Sequence, residues 1–223
     1  MISPAARLGL GLALVLAALA GVAFAHAAGP PPPPAERHLT IFYTAEIHGV
    51  LEPCGCTSDP LGDVARYASV IRGARRQGDV LLVDAGGFSF PEGGASPRER
   101  EGNQLRARFL AAELGKLGLR GVGLADADLA AGPSAVQPAR LAVNVSGGAL
   151  APAPSLLETV GGVKVGVLGV LDPALGPALG ANVQEPVAAA RREAERLRKA
   201  GAELVVVLAP VDRAVARRLA RDA

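Results

Sequence analysis

The strongest constraint on this chain is the way short apolar runs alternate with helical segments. Leu39–Thr44, Asp79–Asp84, residues 163–170 and Leu204–Leu208 are brief, rich in Val, Leu and Ile, and each gives way to glycine, proline or a charged residue. Continuous apolar runs of this length suit strands covered on both faces, as in parallel sheets. Between them, residues 64–77 place Val64, Tyr67, Ala68 and Ile71 on one helical face. Residues 102–117 offer Leu105, Phe109, Leu110, Ala112 and Leu114, with Gly118 as a stop. Residues 186–200 open on Pro186, well suited to a first helical turn, and Asp212 opens a last helix. Residues 156–160 and 163–170 flank Gly161-Gly162, a two-residue hairpin signal. Residues 121–124 and 140–145 read as further short strands. Strands alternating with helices imply an α/β fold, with functional groups expected on the loops that leave the strands.

The N-terminus sets the compartment. Arg7 is followed by an apolar run over residues 8–20 and then by Ala23-Phe24-Ala25. A positive start, a short apolar centre and a small-residue exit form the pattern of a secretory signal, expected over residues 1–25. The run is short for a hydrocarbon core of about 30 Å, so no stable membrane span is expected after cleavage. Residues 26–37 carry Pro30 to Pro34, a stiff extended spacer. The folded domain is expected over residues 38–223, in the periplasm or secreted.

Half of the residues are hydrophobic, which lets a domain of about 200 residues bury a full core. Aromatics make up 3% of the chain and Trp is absent, so stacking platforms for nucleic acid are excluded. The net charge of +2 is spread over Arg-rich helices and forms no polyanion stripe. Gly86-Gly87 follows a strand but no Lys and no helix start come directly after it, so a phosphate-binding P-loop is not supported.

Several segments in order resemble one family. Ile41-Phe42-Tyr43-Thr44-Ala45-Glu46-Ile47-His48-Gly49 is similar to the opening motif of the exported 5′-nucleotidase branch of the calcineurin-like metallophosphoesterases, a hydrophobic strand followed by Thr-Asn-Asp-x-His-Gly. Leu61-Gly62-Asp63-Val64-Ala65-Arg66 resembles its Gly-Gly-Leu-Ala-Arg helix start, and residues 81–87 its Leu-Leu-Asp-Ala-Gly-Asp. Residues 122–132 fall where Gly-Asn-His-Glu lies, and residues 141–145 resemble the strand that ends in Ala-Asn, which makes Asn144 a substrate-binding candidate. Residues 200–208 look like Gly-Ala-Asp-Val-Val-Ile-Leu. The resemblance implies a layered α/β/β/α sandwich, incomplete at the C-terminus, because it stops before the family's Gly-Gly-His-x-His segment and its separate nucleotide-gripping domain.

Family members hold two divalent metals, which lower the pKa of a bridging water and neutralise the phosphate under attack. The departures from that pattern are specific. Glu46 replaces the opening Asp, Gly87 stands where a carboxylate bridges both metals, Asp126-Ala127 replaces Asn-His, and Ala209-Pro210 replaces Ser-His. The ligands that remain are Glu46, His48 and Asp126, enough for at most one divalent ion such as Mn, Zn or Fe, or for none.

Cys54 and Cys56 are the only cysteines, separated by Gly55. Three fates compete in an oxidising compartment: a small strained disulfide, a soft-metal site for copper or zinc, and exchange with a partner's thiol. Three functions follow. The first is a metallophosphoesterase-like domain without catalysis, binding a protein partner or a small phosphate ligand. The second is a weak mononuclear phosphoesterase acting on nucleotides or other phosphomonoesters, and the third a Cys-Gly-Cys redox or soft-metal module.

Overall fold

The computed structural model describes residues 36–53, 55, 58, 64–91, 96–130 and 140–223. The signal segment, the proline spacer and both cysteines lie outside the described residues. So the expectations placed on them are not addressed by the structure. Residues from Arg37 to Ala223 form one compact unit.

Three strands, β1 (Leu39–Thr44), β2 (Asp79–Asp84) and β3 (Leu119–Val122), form a parallel sheet in the order β1-β2-β3. Helices α1 (Val64–Arg75) and α2 (Pro97–Lys116) connect them. A two-stranded antiparallel pair, β4 (Val145–Ser146) with β7 (Asn182–Val183), lies outside the main sheets. In the second sheet, of order β5-β6-β8, β5 (Ser155–Val160) pairs antiparallel with β6 (Val163–Gly169), which pairs parallel with β8 (Leu204–Leu208). The short helix α3 (Gly176–Leu179) follows β6, and α4 (Pro186–Lys199) and α5 (Arg213–Asp222) complete the chain.

Alternation along β2 explains the layering. Leu82 faces Ile71, Leu110 and Leu114 of α1 and α2, while Leu81 and Val83 face Val165, Val167 and Leu208 of the second sheet. On the far side, Leu168 packs with Ala190, Leu197 and Leu219 of α4 and α5. The result is helices, sheet, sheet, helices: the expected α/β/β/α sandwich. Leu81, Leu82, Val83, Val165 and Val167 are each at most 1% exposed, and burying such side chains contributes roughly 1.5–3 kcal/mol apiece.

Two sequence expectations are corrected. Helix α2 begins at Pro97, not near residue 102, because the Ser96 N–H donates to the Glu99 carboxylate at 3.1 Å and starts the helix there. Its exposed face carries Leu105 and Phe109, whereas Leu110 and Leu114 are buried. Residues 140–145 are not a regular strand. Only an isolated bridge from Leu141 to Ala153 and the short β4 form there. The hairpin is as expected: Gly161 and Gly162 turn with φ of 59° and 73°, which a side chain disfavours.

Candidate functional site

The loops that leave β1 and β2 run side by side. Main-chain N–H groups of Glu46, His48 and Gly49 donate to the carbonyls of Gly86, Gly87 and Phe88 at 2.8, 2.8 and 3.1 Å. Matching the carbonyls of the β2 loop forces the β1 loop into left-handed backbone: φ is 55° at Glu46 and 52° at His48. Residues other than glycine hold that conformation at a cost of about 1–2 kcal/mol.

Two buried carboxylates support these loops from below. Asp84, fully buried at the end of β2, accepts from the Thr44 hydroxyl at 2.6 Å and the Gly86 N–H at 2.8 Å. Burial pushes its carboxyl up to about 6 against the pull of those two donors. Asp128, also fully buried, accepts from the N–H groups of Gly87, Phe88, Ser89 and Ala125 at 3.0–3.1 Å. The Arg140 guanidinium completes its shell at 2.9 Å, reaches the Ser89 hydroxyl at 2.6 Å, and lies 5.2 Å from the Phe88 ring centre. Its own pKa is lowered, by burial first of all.

Sequence reasoning did not find this pair. Its signal is an acidic residue inside the apolar stretch 122–130 and an arginine opening the apolar stretch 140–145, since a buried charge needs a partner.

Above this floor lies a cleft of about 540 Å³ between the C-terminal ends of the two sheets. Glu46, His48 and Asp126 all line it, together with Asp172 and Asp212. Asp126, Asp172 and Asp212 each accept an N–H from the chain just after them, Ala127, Ala174 and Ala214 respectively. The structure thus brings the three expected ligands to one cleft. Yet among the described residues no three His, Cys, Asp or Glu side chains are grouped so as to hold a metal ion. Asn144, expected at the substrate, is placed elsewhere. It is 1% exposed, its amide bridges Leu171 and Gln184, and it does not line the cleft. Those bonds tie the chain after β6 to β7, a structural duty.

Neither the family models nor the curated proteins contain a match to this sequence. Solved structures do. A 5′-nucleotidase precursor from Thermus thermophilus superposes with a TM-score of 0.66 at 25% identity, over 82% of this chain and 39% of that one. The NAD nucleotidase of Haemophilus influenzae gives 0.65 at 16% identity, over 82% of this chain and 36% of that one. The chain has the calcineurin-like metallophosphoesterase fold. A calcineurin-like phosphoesterase from Bacillus subtilis shares it at a TM-score of 0.57 and 20% identity, over 78% of this chain and 62% of that one. The metallophosphoesterase fold here therefore spans well under half the length of the first two proteins.

The metals that this fold family implies can be tested against the donors present. Gly87 supplies none. A Cβ built on it would stand 3.1 Å from Glu46 Cα, 3.3 Å from His48 Nε2 and 3.4 Å from Glu46 Cγ, with φ at 72°. A side chain at this position would crowd Glu46 and His48, which would have to give by a few tenths of an ångström. The described residues do not fit a two-metal centre of the metallophosphoesterase kind. Among the described residues no helix is long and apolar enough to cross a membrane.

Proposed function

We propose that this chain is an exported protein of the metallophosphoesterase fold whose two-metal site has been lost, and that it binds a small phosphate ligand or a protein partner without hydrolysing phosphate esters. One observation supports the reading: at Gly87, which the resemblance puts at the bridging position, there is no donor, and a Cβ there would crowd Glu46 and His48. Without a carboxylate there, two cations on one water lack their common ligand, and the activation of that water is lost with it. Export rests on the pattern of residues 1–25.

The test is hydrolysis of nucleoside monophosphates by the mature chain with Mn²⁺ or Zn²⁺ supplied. A Glu46→Ala/His48→Ala double variant is the control. The expected rate equals the control; metal-dependent turnover above it overturns the proposal.

The weak mononuclear phosphoesterase is the second reading. Its support is the strained left-handed backbone at Glu46 and His48, because strain of this kind persists where the surroundings impose it and clusters at functional sites. The same assay decides between the two.

A further inference from the structure

The two helical layers are alike in charge and unlike in their outer faces. Helices α1 and α2 together carry eight Lys and Arg against three Glu, and α4 and α5 carry nine against three acidic residues. Among the described residues, α4 and α5 expose no large apolar side chain. Helices α1 and α2 expose three: Val70 at 56%, Leu105 at 62% and Phe109 at 50%. Single exposed apolar residues are ordinary, but three on one cationic layer and none on the other mark the first as a contact face.

On α2 the exposed groups form a stripe. Arg98, Leu105, Phe109, Ala112 and Lys116 are all exposed and follow one another at intervals that keep to one helical face. The centre of the stripe is apolar and both of its ends are cationic. Lys116 is held by Glu113 at 2.7 Å, and Arg108 stands exposed on the flank. Of the other two acidic residues, Glu99 is engaged by the Ser96 N–H and hydroxyl at the helix start, and Glu101 is exposed. Arg98 and Arg100 fall in the first turn, where the positive end of the helix dipole disfavours cations. Their charge works against the helix that carries it, so helix stability does not account for it.

We infer that the outer face of α2 docks on an anionic lipid surface, with Leu105 and Phe109 entering the headgroup boundary and Arg98, Arg100 and Arg108 meeting lipid phosphates. Surfaces of that kind are bound through buried apolar area together with attraction between Arg or Lys and anionic headgroups. The shape of the face favours lipid over an acidic protein. The clefts beside α2 are lined by Asn103, Arg106, Leu110 and Leu114 and by none of the stripe residues. The stripe is a ridge, which a deformable surface accepts more readily than a rigid one. Arg side chains can spread along such a surface and keep their charged ends at the headgroups. The contact is peripheral and needs no spanning segment.

Co-sedimentation of the mature chain with vesicles tests this, using phosphatidylcholine alone and phosphatidylcholine mixed equally with phosphatidylglycerol. Binding is expected to the anionic vesicles only, and it should fall as salt is raised. Leu105→Ser/Phe109→Ser should weaken it by about tenfold or more. Arg98→Gln/Arg108→Gln should weaken it by on the order of tenfold. Arg217→Gln/Arg221→Gln, on the opposite layer, should leave it unchanged. All six positions are exposed, so the variants keep the fold, which the unfolding midpoint verifies. A parent that ignores both kinds of vesicle overturns the inference and leaves the face to an acidic protein partner. Binding retained in Leu105→Ser/Phe109→Ser overturns it too, as does an equal loss from either helical layer, which would reduce the attraction to net charge. Hydrolysis of nucleotides bears on the previous proposal alone, so the two can fail separately.

Discussion

The floor of the acidic cleft and its rim have diverged in character. Beneath it, Asp84 and Asp128 are fully buried, and main-chain N–H groups, the Thr44 hydroxyl and Arg140 saturate them. On the rim, Glu46 and Asp126 are exposed, and Gly87 has no side chain to offer. Both tiers descend from the same loops, yet one keeps every interaction that shapes those loops while the other departs from the pattern that would hold metals. Buried charge is held in place by the cost of stranding its partners. An exposed carboxylate carries no such restraint. So the floor can hold the form of the loops whatever donors stand on the rim.

The sharpest way to break this comparison is at Asp128. Asp128→Ala leaves the Arg140 charge and four main-chain N–H groups without their acceptor. We expect a loss of roughly 3–5 kcal/mol and an unfolding midpoint lower by on the order of 10 °C. A loss no larger than that of a rim substitution would show the floor to be dispensable.

Asp84 gives the next effect, and its sign is fixed by protonation. The folded chain keeps the Asp84 proton up to about pH 6, while the ordinary value is 3.8. The Asp84 contribution to stability is therefore fully present below pH 4 and lost as pH rises through 6, by on the order of 3 kcal/mol. Asp84→Asn removes that fall. Denaturant midpoints of parent and variant between pH 4 and 7 read the difference, and parallel profiles would contradict it.

At the rim the effects are smaller. Gly87→Ala places a Cβ against Glu46 and His48 at a positive φ, and should cost about 1–2 kcal/mol. A thermal midpoint equal to the parent's would mean that the loop yields freely. Gly87→Asp should cost at least as much, and elemental analysis should find no added divalent metal. Smallest of all, Glu46→Gly relieves the left-handed strain at φ 55°. It should raise the midpoint by a few degrees; a fall would assign Glu46 a structural role that its exposure does not suggest.

The parts of the fold legible in sequence were those written in local patterns. The apolar runs of β1, β2 and β8 and the Gly161-Gly162 turn appear where their periodicity places them. The misplaced start of α2 came from passing over Ser96 and Glu99 as a helix-opening pair. The floor of the site was harder to see. Asp128 and Arg140 meet only through tertiary folding, across loops with no period, and the clasp of Asn144 on Leu171 and Gln184 likewise joins residues distant in sequence. The rim residues came from the family resemblance, and the structure places Glu46, His48 and Asp126 at one cleft.

The bonds from Glu46, His48 and Gly49 to Gly86, Gly87 and Phe88 use main-chain atoms alone. These bonds do not depend on which side chains stand at positions 46 and 48. A framework of this sort is a socket: its outline persists while its fittings are exchanged. Positions 46 and 126 can be refitted with new donors at little risk to folding, which makes this chain a natural host for grafted metal or ligand sites.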